Sequence, residues 1–319
     1  MPNRMSHGRV PHPGVLALGA ALGLTACGGA ETPATATTSA APVRPAPAAR
    51  PALCGPVRVV KTGTVDAAEA TELSGLVVSH TQPGVLWSHN DSGDRPRVFA
   101  LRTDGRVMAS LDVPGAEAVD WEDMAIGPGG DLLIGDIGDN GGARANIDVY
   151  RVPEPRLPAV GGVTAPATRL RLRYPDGPHD AETLLADPRT GELVVITKRL
   201  DGRSAVFTGR VPKRGVPAQA TLRARGTLRF GFGGLATAGD VSADGRTVVV
   251  RTYSGFSVWT RRPGVSLAAT LRRTPCSGRV SLVPEGQGEA VALTRSGRSF
   301  FTVPEGASPT LRRYSTRRN

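Results

Sequence analysis

The chain has 319 residues, enough for about two average domains or one large all-β unit. Its 39% hydrophobic and 21% charged residues exclude a wholly disordered chain, and its 40 Gly and 27 Pro favour turns over long helices. The net charge of +11 is uneven (residues 1–65 carry +5, 66–201 carry −9 and 202–319 carry +15), and with 4% aromatics and the richest motifs in the acidic third, nucleic acid is not the expected partner.

Arg4 and Arg9 form a basic start, followed by ten apolar residues, Val15 to Leu24, too short to span a bilayer. Leu24-Thr25-Ala26-Cys27 then resembles a bacterial lipobox. Residues 1–26 are therefore expected to be a lipoprotein signal peptide, with Cys27 the lipidated residue. Residues 27–52 are Ala, Pro and Thr almost throughout, which predicts a disordered tether. The expected place is the outer face of the bacterial cytoplasmic membrane, with the membrane a partner through the lipid and the chain a monomer. With Cys27 acylated, Cys54 and Cys276 remain as a disulfide pair in an oxidising compartment.

Residues 53–319 read as short strands separated by Gly, Pro and Asp turns. One unit recurs, with aligned positions at 74, 122, 182, 239 and 289: a polar cluster, an apolar strand, a tight turn and a second strand. Its first turns are Gln82-Pro83-Gly84, Gly127 to Gly130, Pro188 to Gly191, Ala243-Asp244-Gly245 and Arg295-Ser296-Gly297. Repeats of this length predict an all-β, five-bladed β-propeller of four-stranded antiparallel blades; length alone would also fit six. The last repeat holds only three strands, 289–294, 299–303 and 310–314. The strand at 57–62 is expected to supply the fourth, closing the ring and bringing Cys54 to Cys276.

In a propeller the start of each repeat and the loop after its second strand meet around the central channel. The polar motifs fall there: Glu69, Glu72, Asp120, Glu122, Asp123, His179, Asp180, Glu182, Asp240 and Glu289 at repeat starts, and His89 to Asp94 and Asp136 to Asn140 in the loops. Crowded carboxylates repel one another unless a cation compensates, and Ca²⁺ accepts irregular oxygen shells. Candidate metal ligands are Glu122, Asp123, Asp136, Asp139, Asn140 and Glu182; candidate ligand-binding residues are Asn90, Asp91, Asp94, Asp120, Trp121 and Asp180. Turn capping and ion pairing are the competing roles for these acids. Hydrogen-bonded structural roles compete for His89 and His179, and core packing for Trp121.

The strings Leu73-Ser74-Gly75-Leu76, Trp87 to Asp94, Asp120 to Asp123, Gly135 to Asn140 and His179 to Thr183 resemble a group of secreted actinobacterial propeller lipoproteins. More distantly they are similar to SdiA-regulated and phytase-like (esterase-like) propellers and to the SMP-30/gluconolactonase type. The distant resemblance implies a divalent metal, usually Ca²⁺, at or near the channel mouth. Two functions stay open. One is a surface receptor whose funnel binds a small molecule, glycan or protein. The other is a metal-dependent hydrolase of a phosphoester, ester or lactone, with His89 or His179 as general base.

Overall fold

Each of the five apolar runs that open the repeats forms a buried strand beside the channel. The computed structural model describes residues 52–159, 161–253, 255–277 and 284–316. The expected signal peptide, Cys27 and all of the tether but residue 52 lie outside them. In chain order the strands are β1 Val57–Thr64, then β2 Leu73–Val78, β3 Val85–Asn90, β4 Arg97–Arg102 and β5 Val107–Asp112 as blade one. Blade two holds β6 Trp121–Ile126, β7 Leu132–Asp136, β8 Ile147–Val152 and β9 Thr168–Arg173. Blade three holds β10 Ala181–Ala186, β11 Glu192–Thr197, β12 Arg203–Arg210 and, past β13 Ala218–Thr221, β14 Arg223–Arg229. Blade four holds β15 Ala236–Val241, β16 Thr247–Thr252, β17 Gly255–Thr260 and, after helix α1 Leu267–Leu271, the short β18 Cys276–Ser277. Blade five holds β19 Ala290–Leu293, β20 Ser299–Val303 and β21 Thr310–Thr316, with β1 as its outer strand.

The protein is thus a five-bladed β-propeller closed by its N-terminal strand. The inner strands β2, β6, β10, β15 and β19 pack in a ring, β19 against β2. Apolar clusters fill the gaps between successive blades, as where Trp87 and Val98 of blade one meet Met124 and Tyr150 of blade two. Between blades five and one, Phe301 and Leu311 meet Leu76 and Phe99. Cys54 and Cys276 are joined with Cα atoms 5.6 Å apart, inside the range a disulfide needs, tying the closing strand of blade five to the last strand of blade four.

Three details depart from the sequence reading. β13 pairs in parallel with β9, so blade two gains a fifth strand from the excursion between β12 and β14. That segment covers the blade's outer edge, which would otherwise expose unpaired backbone groups. Blade four interposes α1, whose N-terminus is capped by the Ser266 hydroxyl and by the Glu192 carboxylate of blade three. The fourth repeat is also offset. In β6 and β10 the ladder shifts register between Trp121 and Asp123 and between Ala181 and Thr183, whereas in β15 it shifts between Ala236 and Ala238. Thr237, not Gly239, therefore matches Glu122 and Glu182.

Candidate cation site at the channel mouth

The ladders place the start of each inner strand beside the end of the second strand. Leu73 faces Asn90, Trp121 faces Asp136 and Ala181 faces Thr197. The loops that follow converge on one mouth. Oxygens of Asp91, Asp120 and Glu122 lie within 4.8 Å of one another, and so do those of Asp91, Glu289 and Glu305. Asp91 belongs to both groups. Oδ1 of Asp91 and Oε2 of Glu182 are buried without a hydrogen-bond partner. Gly138 lies against the first group, since a Cβ there would overlap Glu122 Oε1 and Asp120 Oδ2.

Burial dominates the electrostatics of the mouth. It pushes Asp91 up to about 7, with the charges of Asp120, Glu289 and Glu72 adding to it against a hydrogen bond from the Ser92 N–H. Glu122 is raised well above the carboxylate range by burial and then by Glu182, Asp91, Asp120 and Glu289. Burial raises Glu182 to about 8 even though the Lys198 ammonium is bonded to it, and Glu305 to about 9, where a hydrogen bond with Glu289 adds. Against the cost of its own burial, Glu182 holds Lys198 well above its usual range. The Tyr253 hydroxyl donates to Glu289 Oε1 at 2.7 Å.

Other predicted residues are engaged elsewhere. Asp94 pairs with Arg97 at 2.6 Å and accepts from the Asn90 amide, whose second bond goes to the Glu69 carbonyl. Asp136 pairs with Arg144 at 2.7 Å and accepts the Val119 and Asp120 N–H groups. Asp139 accepts the Ala143 and Arg144 N–H groups and donates its own to Asp180, while Asn140 is exposed. Asp123 lies inside the channel, accepting from the Met124, Leu184 and Gly239 N–H groups and so tying three inner strands together. His89 is fully buried, edge-on to Trp121, with Nδ1 2.8 Å from the Asn90 carbonyl; burial lowers it to about 4. His179 bonds Asp176 at 3.0 Å and packs against Tyr174 and Phe207. The Trp121 indole donates to the Glu117 carbonyl.

The structure thus brings together five of the predicted channel-mouth acids, Asp91, Asp120, Glu122, Glu182 and Glu289. The sequence reading missed Glu305, Lys198 and Tyr253, and flagged the loop that holds Gly138 without giving that glycine a role. Glu305 and Tyr253 do follow second strands, the position that had flagged Asp91, but they carry no neighbouring acidic motif.

No protein-family model matches the chain, and no curated protein sequence matches it. Among solved structures, the fold is similar to a protein assigned as a gluconolactonase (13% identity, 82% of this chain and 92% of that one, TM-score 0.45). It is also similar to a luciferin-regenerating enzyme (11%, 76% and 77%, TM-score 0.39). A protein of Bacteroides uniformis assigned as a 6-phosphogluconolactonase is a third (15%, 75% and 66%, TM-score 0.40).

Proposed function

We propose that the propeller mouth binds a divalent cation, Ca²⁺ in preference to others, and through it an oxygen-bearing ligand. The chain would display this site at the outer face of the cytoplasmic membrane, anchored through Cys27. The observation that carries the reading is the convergence of Asp91, Asp120 and Glu122 within 4.8 Å, with a buried, unpartnered Asp91 oxygen among them. An all-carboxylate donor set without thiolate or imidazole suits a hard cation. When bound, the cation supplies the positive charge that relieves the carboxylates and polarises a ligand oxygen. The chain's own residues do the rest. Asp91, Asp120 and Glu122 hold the ion, Gly138 leaves them room, and the Glu182–Lys198 pair and the Tyr253–Glu289 hydrogen bond fix the adjoining wall.

Calorimetry and thermal unfolding of the purified chain with Ca²⁺ or chelator test this. Ca²⁺ at about a hundredfold excess over its dissociation constant should stabilise the fold by about 2.7 kcal/mol, and Asp91→Asn or Glu122→Gln should abolish the gain. No binding heat at millimolar Ca²⁺, with a melting temperature indifferent to chelator, would sink the reading.

One observation favours hydrolysis as the second reading. Glu182, raised to about 8 by burial, can hold or accept a proton at neutral pH beside the cation position, a task for which His89, at about 4 and fully buried, is poorly placed. Turnover of nitrophenyl phosphates, esters or lactones that Glu182→Gln removes while Ca²⁺ still binds would establish it. Ca²⁺ binding without turnover leaves the receptor reading.

A further inference from the structure

Strand direction gives the propeller two unlike faces. Around the mouth stand the acids described above. The opposite face is built from the tight turns between first and second strands and from α1. There the acids are already used: Asp187 pairs with Arg261 at 2.7 Å, Glu192 caps α1, and Asp244 accepts from the Ser242 hydroxyl and the Arg246 N–H. The arginines outnumber them. A depression of ≈ 500 Å³ between the turns of blades three and four is lined by Arg189, Arg246 and Arg262, all exposed. Two further depressions adjoin it at Glu192, one lined by Arg210 and Arg225, the other by Arg225 and Arg272. Among the described residues none of these six guanidinium groups has a carboxylate within ion-pair distance, although residues 202–319 carry a net +15. Nor do they make a hydrogen-bonded lattice that would explain them as architecture; Arg225 bonds only the Thr208 hydroxyl.

The chain enters the propeller on the same side. Cys54 precedes β1 at the end of that strand away from the mouth, and its disulfide partner Cys276 follows Arg272 by four residues. The described chain, starting at residues 52–54, therefore enters the domain on the arginine-bearing side.

We propose that this arginine-rich turn face docks on an anionic phospholipid surface, leaving the acidic mouth pointing away from the membrane. Guanidinium groups suit the purpose, since they stay charged, bind phosphate through paired N–H groups and shed their hydration more readily than ammonium groups. An anionic leaflet attracts such groups over about a Debye length, some 8 Å at physiological ionic strength. The acidic mouth is repelled by the same field, so attraction and repulsion select one orientation. The proposal rests on the charge of the turn face and the point of chain entry, and is independent of any cation at the mouth.

The test uses the full chain carrying Cys27→Ser, so that no acyl group contributes, and vesicles of phosphatidylcholine with or without phosphatidylglycerol. Cosedimentation should show binding at least about tenfold tighter to the anionic vesicles, weakening as salt rises. Arg189→Gln/Arg246→Gln/Arg262→Gln/Arg272→Gln should lose that preference, and the corresponding four lysine substitutions should keep most of it. Arg95→Gln/Arg199→Gln, on the mouth face, should leave it intact. Because all these variants share residues 1–51, any contribution from that segment cancels. Circular dichroism melts matching the parent keep a lost preference from being read as unfolding. Equal binding to both vesicle types, or an unaltered preference in the quadruple glutamine variant, would overturn the proposal. So would duplex DNA competing as well as phosphatidylglycerol vesicles, which would reduce the face to an unselective polyanion binder.

Discussion

Single residues in this protein do two opposed kinds of work, and the distinction lies in what surrounds each carboxylate. Among the described residues no cation lies within ion-pair distance of Asp123, yet its oxygens take three backbone N–H groups from three inner strands. An alanine there leaves those donors buried and unpaired, each costing about 1–3 kcal/mol. Asp123→Ala should therefore destabilise the fold by at least about 3 kcal/mol by denaturant titration, whether or not Ca²⁺ is present. Asp240 lies two residues beyond Ala238, the position that matches Asp123, and accepts from Val241 and Leu293. Burial pushes it up to about 7. A raised folded-state value means that the native protein holds a proton the unfolded chain releases. The stabilisation is full below the unfolded value near 4 and is lost as pH rises toward 7, with a slope of at most about 1.4 kcal/mol per pH unit. Asp240→Asn should flatten that part of the stability profile measured in chelator; an unchanged slope would assign it to other groups. Gly138 belongs to the second kind. A methyl group there would overlap Glu122 and Asp120, so Gly138→Ala should weaken Ca²⁺ binding by calorimetry about tenfold or more while melting of the metal-free protein changes little.

At the scale of strands and loops the covalent tie matters most. The Cys54–Cys276 bond closes 222 residues of chain, and removing such a bond typically costs about 2–5 kcal/mol. Cys54→Ala/Cys276→Ala should unfold at correspondingly lower denaturant with its Ca²⁺ affinity preserved, because the mouth lies at the other end of the blades. Most of this scale was legible in the sequence. Strand alternation and Gly turns marked all five repeats, and the strand shortage after Glu289 identified Val57 onward as the closing strand. What escaped had weak local signals. β13, Ala218–Thr221, is short and largely exposed, with only alanines on its apolar positions, and is ordered by pairing with β9. The fourth repeat lacks a Glu at its bulge, so Asp240 drew the alignment two residues too far. The site was legible in part for a related reason. Acidic motifs flagged the right loops, but the arginine that claims each acid could not be foreseen. Arg97 takes Asp94 and Arg144 takes Asp136, whereas Asp91 and Glu122 are left to one another.

The five blades form a ring, and a ring has one seam. β1 pairs with β21 along its whole length, from Val57 opposite Thr316 to Thr64 opposite Thr310, and Leu53 just ahead of it is fully buried with Val249, Phe300 and Tyr314. A chain begun at Val65 would lose this strand, the buried leucine and the disulfide together, and would expose the backbone edge of β21. An open edge of that kind recruits another strand. The shortened protein should therefore elute from a sizing column as concentration-dependent oligomers and melt at a lower temperature. A synthetic peptide spanning residues 53–64 should return it toward the monomer by occupying the vacant edge. The double cysteine variant, which keeps β1, should stay monomeric and so separates loss of the strand from loss of the bond. A monomeric shortened chain with an unchanged melt would show that packing of the five inner strands closes the ring without the seam strand.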